Sequence, residues 1–233
     1  MIRKILVSIA TCAVAACATP PDAPATSVMV AQETTLQGEI AHVFMGSIRS
    51  LCGQAFEGAI VSDDPQDEDW RAERLVMHVA DCQPDEIQVP LHVGDDRSRT
   101  WYLTYVDRAA GENAHILLRH RHLHEDGSSD VLTGYGGASS ANGTPFRQEF
   151  PAGAETKQLF TDENIPDSRQ NTWAIEVRLN EGLFAYEMSR PGRIFRVEFD
   201  ITTPVETPPP AWGADTFDPA SSPLFSTLPG KPD

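Results

Sequence analysis

The spacing of apolar residues along this chain changes near Cys52. Before that cysteine, apolar side chains recur every three or four positions, which is typical of the buried face of an α-helix. These apolar positions are Leu36, Ile40, Val43, Phe44, Ile48 and Leu51. We predict a helix that begins near Thr34, where a threonine hydroxyl can cap the first turn, and ends near Leu51.

After Cys52 the apolar period falls to two, which is typical of strands with one buried face and one wet face. The predicted strands cover residues 55–62, 74–80, 86–93, 98–106, 114–124, 131–136, 145–150, 172–179, 183–189 and 193–202, with a short helix near 154–163. Short turns such as Gly94-Asp95-Asp96 and Asn180-Glu181-Gly182 join neighbouring strands into hairpins.

An antiparallel meander with one apolar face must curl shut or pair with a second sheet to bury that face. We therefore predict a mainly β domain over residues 34–203, folded as an up-and-down, calycin-like barrel with the N-terminal helix at one end. The alternative is a two-sheet β-sandwich. Residues 17–33 are rich in Pro, Ala and Thr and predict a flexible tether. Residues 204–233 are rich in proline and predict an extended or disordered tail, from which Trp212 docks back onto the domain.

The N-terminus has the pattern of a secretory signal. Arg3 and Lys4 precede the uncharged run from Ile5 to Ala16, which is too short to span a bilayer as a helix. The ending Val14-Ala15-Ala16-Cys17 resembles the lipobox of bacterial lipoproteins. That resemblance implies removal of residues 1–16 as a signal peptide, a lipid such as palmitate on Cys17, and anchoring in the cell envelope. Ala18 follows the cysteine, which under the lipoprotein sorting rule implies the outer membrane, on its periplasmic face.

The cysteines then suggest a crosslink. Cys12 leaves with the signal and lipid occupies Cys17, so Cys52 and Cys82 remain. In an oxidising compartment we expect these two to form one disulfide. The alternative is a metal-binding or redox thiol pair.

Charge restricts the partners. The formal net charge of −16 repels nucleic acid and anionic lipid headgroups, so we exclude nucleic acid as a partner and expect membrane contact through the lipid alone. The chain contains none of the G-x-S-x-G, H-E-x-x-H, S-x-x-K or P-loop motifs, and we expect a role other than catalysis.

The segment from His115 to Asp126 contains the most distinctive chemistry. On a strand, His120, His122 and His124 share one face, and the arginines between them mark the other face as the wet one. One hypothesis is a zinc or copper site on these imidazoles; the alternative is a polar rim that only hydrogen-bonds to water and acids. A second hypothesis is an apolar ligand pocket at the barrel mouth, formed by Trp101, Tyr105 and His120, with His120 directly across from Trp101.

Five segments are similar to a family of small proteobacterial envelope proteins that has no established activity. They are residues 77–82, 92–101, 119–130, 146–152 and 190–200. The helix, meander, disulfide and anchor together resemble lipocalin-type lipoproteins in architecture. We therefore expect an outer-membrane lipoprotein whose barrel binds a small apolar ligand or an envelope component. The alternatives are metal binding at the histidines and a structural role in envelope assembly.

Overall fold

The computed structural model describes residues 25–107 and 114–214. The predicted signal peptide, Cys17 and the first part of the predicted tether lie outside the described residues, as does the tail beyond residue 214. No helix within the described ranges has the length and apolar character needed to cross a bilayer.

The described chain contains three α-helices and eleven strands. The helices are α1 (Ala25–Arg49), α2 (Glu68–Arg71) and α3 (Ala154–Asp162), and short 3-10 turns occupy Pro65–Asp67, Pro166–Gln170 and Leu179–Glu181. The strands are β1 (Ala55–Ile60), β2 (Leu75–His78), β3 (Asp81–Cys82), β4 (Glu86–Val93), β5 (Asp96–Val106), β6 (His115–His122), β7 (Tyr135–Ala138), β8 (Arg147–Pro151), β9 (Thr172–Arg178), β10 (Leu183–Arg190) and β11 (Arg193–Asp200).

Ten of these strands form one antiparallel ring that is nearly closed. Their order is β7-β6-β5-β4-β2-β1-β11-β10-β9-β8, and the small strand β3 pairs with β4 beside this path. Most sequence neighbours pair as hairpins, and β1 pairs with β11 to join the first and last strands. The prediction of a mainly β, up-and-down barrel with an N-terminal helix is confirmed.

The gap in the ring lies between β7 and β8, and close backbone contacts bridge it. The Gly153 amide donates to the Gly136 carbonyl at 2.9 Å, and the Ser140 amide donates to the Glu149 carbonyl at 2.7 Å. A Cβ on Gly137 would lie 1.9 Å from the carbonyl oxygen of Pro151, so only glycine allows this approach.

Helix α1 closes one end of the barrel. Its buried face contributes Ala41, Phe44, Met45 and Ile48 to the core, and Leu51 in the following turn adds to the same cluster. The disulfide between Cys52 and Cys82, which confirms the sequence prediction, ties the end of α1 to β3. Arg49 strengthens the same junction by donating to the carbonyls of Gln83 and Pro84 at 2.9 and 2.7 Å.

The structure corrects several predicted boundaries. Helix α1 begins at Ala25, within the predicted flexible tether, rather than near Thr34. Strand β7 covers Tyr135–Ala138 instead of residues 131–136.

The start of the predicted disordered tail is also placed against the barrel. The Val205 amide donates to Ala55 at 2.8 Å and the Trp212 amide donates to Arg97 at 3.0 Å, which confirms the docking of Trp212. These two backbone hydrogen bonds hold Val205 and Trp212 against the barrel, which the proline content of this segment does not predict.

Candidate functional site

A cavity of about 510 Å³ opens at the end of the barrel opposite α1. Strand β5 shows the polarity of the barrel: Tyr105, near its end, packs against His42 of α1, whereas Arg99 and Trp101, near its start, line the cavity. Apolar and aromatic side chains make most of the wall: Trp70, Leu91, Trp101, Leu132, Tyr135, Phe160, Ile165, Trp173, Tyr186, Met188 and Phe195. Polar residues that include Asp67, Arg99, Asp130 and Arg193 complete the lining.

His120 belongs to β6 and is only 2% exposed. Its imidazole ring lies between groups of β7 and β10. Its Nδ1 is 3.2 Å from the carbonyl oxygen of Tyr135, and its Nε2 is 2.7 Å from the hydroxyl of Tyr186. Because a carbonyl can only accept, Nδ1 carries the proton and Nε2 accepts the hydroxyl proton of Tyr186. Both ring nitrogens are therefore occupied by neighbours from different strands.

Burial keeps the groups around this imidazole neutral. Desolvation lowers the pKa of His120 to about 3, with the neighbouring His122 as a smaller cause. Desolvation likewise lowers the pKa of His122 to about 4 and raises the pKa values of Tyr135 and Tyr186. At neutral pH the interior of the cavity thus presents neutral imidazoles and neutral phenols.

The aromatic walls hold one another in fixed positions. Trp101 stacks on Tyr186 with ring centroids 4.3 Å apart and an interplanar angle of 8°. Tyr135 stacks on His120 at 4.6 Å, and Trp173 packs against His120 at 5.0 Å. Since each ring contacts at least one other ring from a different strand, the cavity is shaped before any ligand enters.

The charged groups at the mouth are arranged in pairs. Arg193 contacts Asp64 at 2.6 Å and Asp67 at 2.5 Å, and Asp67 is 4% exposed. Arg99 pairs with Asp96, and its guanidinium lies 4.7 Å from the ring centroid of Trp70.

The residues singled out in the sequence are only partly brought together. The predicted register is confirmed, because Trp101 pairs directly with His120, and both line the cavity. Tyr105 does not line it, since this side chain lies at the α1 end of the same strand. The Nε2 of His122 is 3.2 Å from the Tyr135 hydroxyl, whereas His124 follows the end of β6 and contacts Asp130 at 3.8 Å on the exposed surface.

The three histidines are therefore not arranged as a ligand set. Among the described residues, no cluster of three or more His, Cys, Asp or Glu side chains is placed to hold a metal ion. Zinc or copper binding stays a prediction, and the hydrogen bonds of His120 favour a structural and ligand-facing role for that ring.

For several cavity residues, the side chains that they contact could not be predicted from the sequence. The alternation of β10 places Tyr186 on the inner face, but the chain does not encode which imidazole it meets across the barrel. Arg193 and Asp67, which are far apart in sequence, likewise meet only through the closure of the ring. No family model, curated protein or solved structure matches this chain.

Proposed function

We propose that this protein is a lipid-anchored envelope protein whose barrel binds a small molecule with an apolar body in the cavity opposite α1. The observation that carries the proposal is the cavity: at about 510 Å³ it falls within the usual range of roughly 300–1,000 Å³ for small-molecule sites. Apolar and aromatic residues make up eleven of its twenty lining residues, and the polar remainder includes the charged Asp67, Arg99, Asp130 and Arg193, as in sites that bury a ligand's body and orient its polar end.

The preformed positions of the side chains around the cavity support binding. A ligand that enters a preformed cavity does not have to immobilise the groups around it, and this lowers the entropic cost of association. The stacking of Trp101 on Tyr186 and the two hydrogen bonds of His120 provide that preformed shape.

Binding can be tested with a neutral fluorescent probe, N-phenyl-1-naphthylamine, and a pair of adjacent substitutions. Leu132 lines the cavity, whereas its neighbour Val131 is 61% exposed. Leu132→Trp should weaken binding by about tenfold, or about 1.4 kcal/mol, because the larger ring narrows the mouth. Val131→Trp adds the same side chain outside the cavity and should leave the affinity unchanged. Equal affinities in the two variants, or no saturable binding by the wild type, would contradict the proposal.

The anchor is tested separately, by intact mass spectrometry of the protein extracted from the membrane fraction of a Gram-negative host. The lipobox at Val14–Cys17 leads us to expect a mature chain that begins at an acylated Cys17. Cys17→Ala should remove the acyl mass. A wild-type N-terminus after Ala18, or an unmodified Cys17, would refute the anchor and leave the cavity proposal intact.

A further inference from the structure

We infer that the cavity selects an organic cation: an ammonium group attached to an apolar, preferably aromatic, body. This inference rests on the proposed function and concerns the same cavity. Three features of the cavity support it: the aromatic rings in its wall, the carboxylates at its mouth, and the Arg99 guanidinium that lies against the ring of Trp70.

The walls favour positive charge. The rings of Trp70, Trp101, Tyr135, Trp173 and Tyr186 line the cavity, and the faces of aromatic rings carry negative electrostatic potential that attracts ammonium groups. His120 is buried with both ring nitrogens hydrogen-bonded as a neutral imidazole, so it adds no positive charge that would oppose a bound cation.

The mouth also carries an excess of negative charge. Among the described residues there, four carboxylates accompany three guanidinium groups. They are Asp64, Asp67, Asp96 and Asp130 with Arg99, Arg193 and Arg190, the last of which donates to Ser168 and Asn171 in the cavity lining.

Two arginines near an apolar cavity would ordinarily suggest a carboxylate ligand such as a fatty acid. Here Arg193 is held by two aspartates and Arg99 by one. An anion would therefore have to displace an existing carboxylate, whereas a cation can pair with Asp130, which contacts His124 rather than an arginine.

Arg99 provides a direct example of the contact that we infer. Its guanidinium lies 4.7 Å from the ring centroid of Trp70, and both residues line the cavity. A ligand ammonium placed over Trp173, whose ring contacts with His120, Tyr135 and Phe160 are tilted rather than stacked, would repeat this arrangement deeper in the barrel.

Asp130 is the carboxylate best suited to a test. Its side chain is 39% exposed, and one oxygen accepts the Leu132 amide at 2.7 Å. Asp130→Asn keeps an oxygen for that bond and removes only the charge. Asp200 is a matched control, because its carboxylate accepts the Thr202 amide at 2.9 Å in a similar turn away from the cavity.

The experiment is isothermal titration calorimetry of the full mature chain at pH 7.5, with three probes that each carry a phenyl ring on a four-carbon chain. They are 4-phenylbutylammonium, 4-phenylbutan-1-ol and 4-phenylbutyrate. We expect the ammonium to bind at least tenfold more tightly than the butyrate, with the alcohol between them, and the difference to shrink when the salt concentration is raised. Asp130→Asn should reduce the ammonium-to-alcohol ratio several-fold, and Asp200→Asn should leave it unchanged.

The outcomes separate this inference from the proposed function. If the neutral naphthylamine binds with the dependence on Leu132 described above, but the butyrate or the alcohol binds as tightly as the ammonium, the cavity is a ligand site and the cation preference is wrong. If Asp130→Asn and Asp200→Asn change the ratio equally, the carboxylate at the mouth does not set the preference. If neither the naphthylamine nor any of the three probes binds, the proposed function fails together with the inference.

Discussion

At the scale of single residues, His120 connects the fold to the cavity. Its imidazole links the Tyr135 carbonyl on β7 to the Tyr186 hydroxyl on β10, across the interior of the barrel. The period of β6 predicts that this side chain points inward, and the five-residue turn predicted between β5 and β6 permits the pairing with Trp101. The contact with Tyr186 could not be predicted, because it depends on how strands that are distant in sequence are placed by the closing of the ring.

This burial makes the free energy of unfolding depend on pH. An unfolded histidine has a pKa near 6.5 and binds a proton below it, whereas the folded pKa of His120 is about 3 because of desolvation. Between these values the unfolded state binds more protons, so stability is fully present above the unfolded pKa and is lost as the pH falls. From pH 6.5 to 5, His120 should contribute a loss of up to about 1.4 kcal/mol per pH unit.

Urea unfolding at several pH values checks this expectation. His120→Gln will be less stable overall, since it disturbs two hydrogen bonds, but its free energy of unfolding should fall less steeply between pH 6.5 and 5. The remaining slope belongs to other groups, among them His122, whose folded pKa is also lowered by burial. Parallel pH profiles for the wild type and the variant would show that His120 titrates normally in the folded protein.

At the scale of elements, helix α3 completes the wall that β7 and β8 leave open. The hydroxyl of Thr156, a side chain only 3% exposed, accepts from the Gly136 amide and donates to the Gly136 carbonyl, both at 2.8 Å. A single side chain from a helix thus satisfies backbone groups that a neighbouring strand would satisfy in a fully paired barrel.

Removing that hydroxyl should be costly. Thr156→Val keeps the shape of the side chain but leaves the buried Gly136 amide without its partner, and we expect a loss of about 1–3 kcal/mol in the free energy of unfolding. Thr161→Val makes the same change on the exposed side of α3, where the hydroxyl only bonds to the Lys157 carbonyl, and should have little effect. Chemical denaturation compares the two variants, and similar losses would argue against a special role for the Thr156 hydroxyl.

Most elements could be predicted from the sequence because the period of their apolar residues is clear over several positions. The exceptions have physical causes. Strand β7 contains Gly136 and Gly137, which carry no side chain to mark a face, so the strand predicted at residues 131–136 begins too early. The two-residue strand β3 is too short to show any period. Helix α1 extends back into a segment whose proline and alanine content suggested a tether.

At the scale of the whole molecule, the disulfide links the end of helix α1 to strand β3 of the barrel. Cys52 follows α1 and Cys82 lies in β3, 30 positions along the chain. The pairing itself could be predicted by counting cysteines, but the role of the bond could not, because it depends on where α1 docks.

Loss of this crosslink should lower the stability of the protein by about 2–4 kcal/mol, since the unfolded chain gains freedom. The double variant Cys52→Ala/Cys82→Ala and the wild type treated with a reductant should show similar free energies of unfolding in urea. Reductant should not change the double variant. An oxidised wild type no more stable than the double variant would mean that Arg49 and the packing of α1 hold the junction without the disulfide.

The incomplete pairing between β7 and β8 also has a consequence for ligand choice. Tyr135 belongs to β7 on one side of the opening, and Trp173 belongs to β9, the strand next to β8, on the other. The wall at this joint is held by the Gly153–Gly136 and Ser140–Glu149 backbone bonds and by the Thr156 hydroxyl, and not by a continuous ladder of strand pairs. A ligand larger than the cavity would therefore press against the part of the described barrel wall that has the fewest strand-to-strand hydrogen bonds.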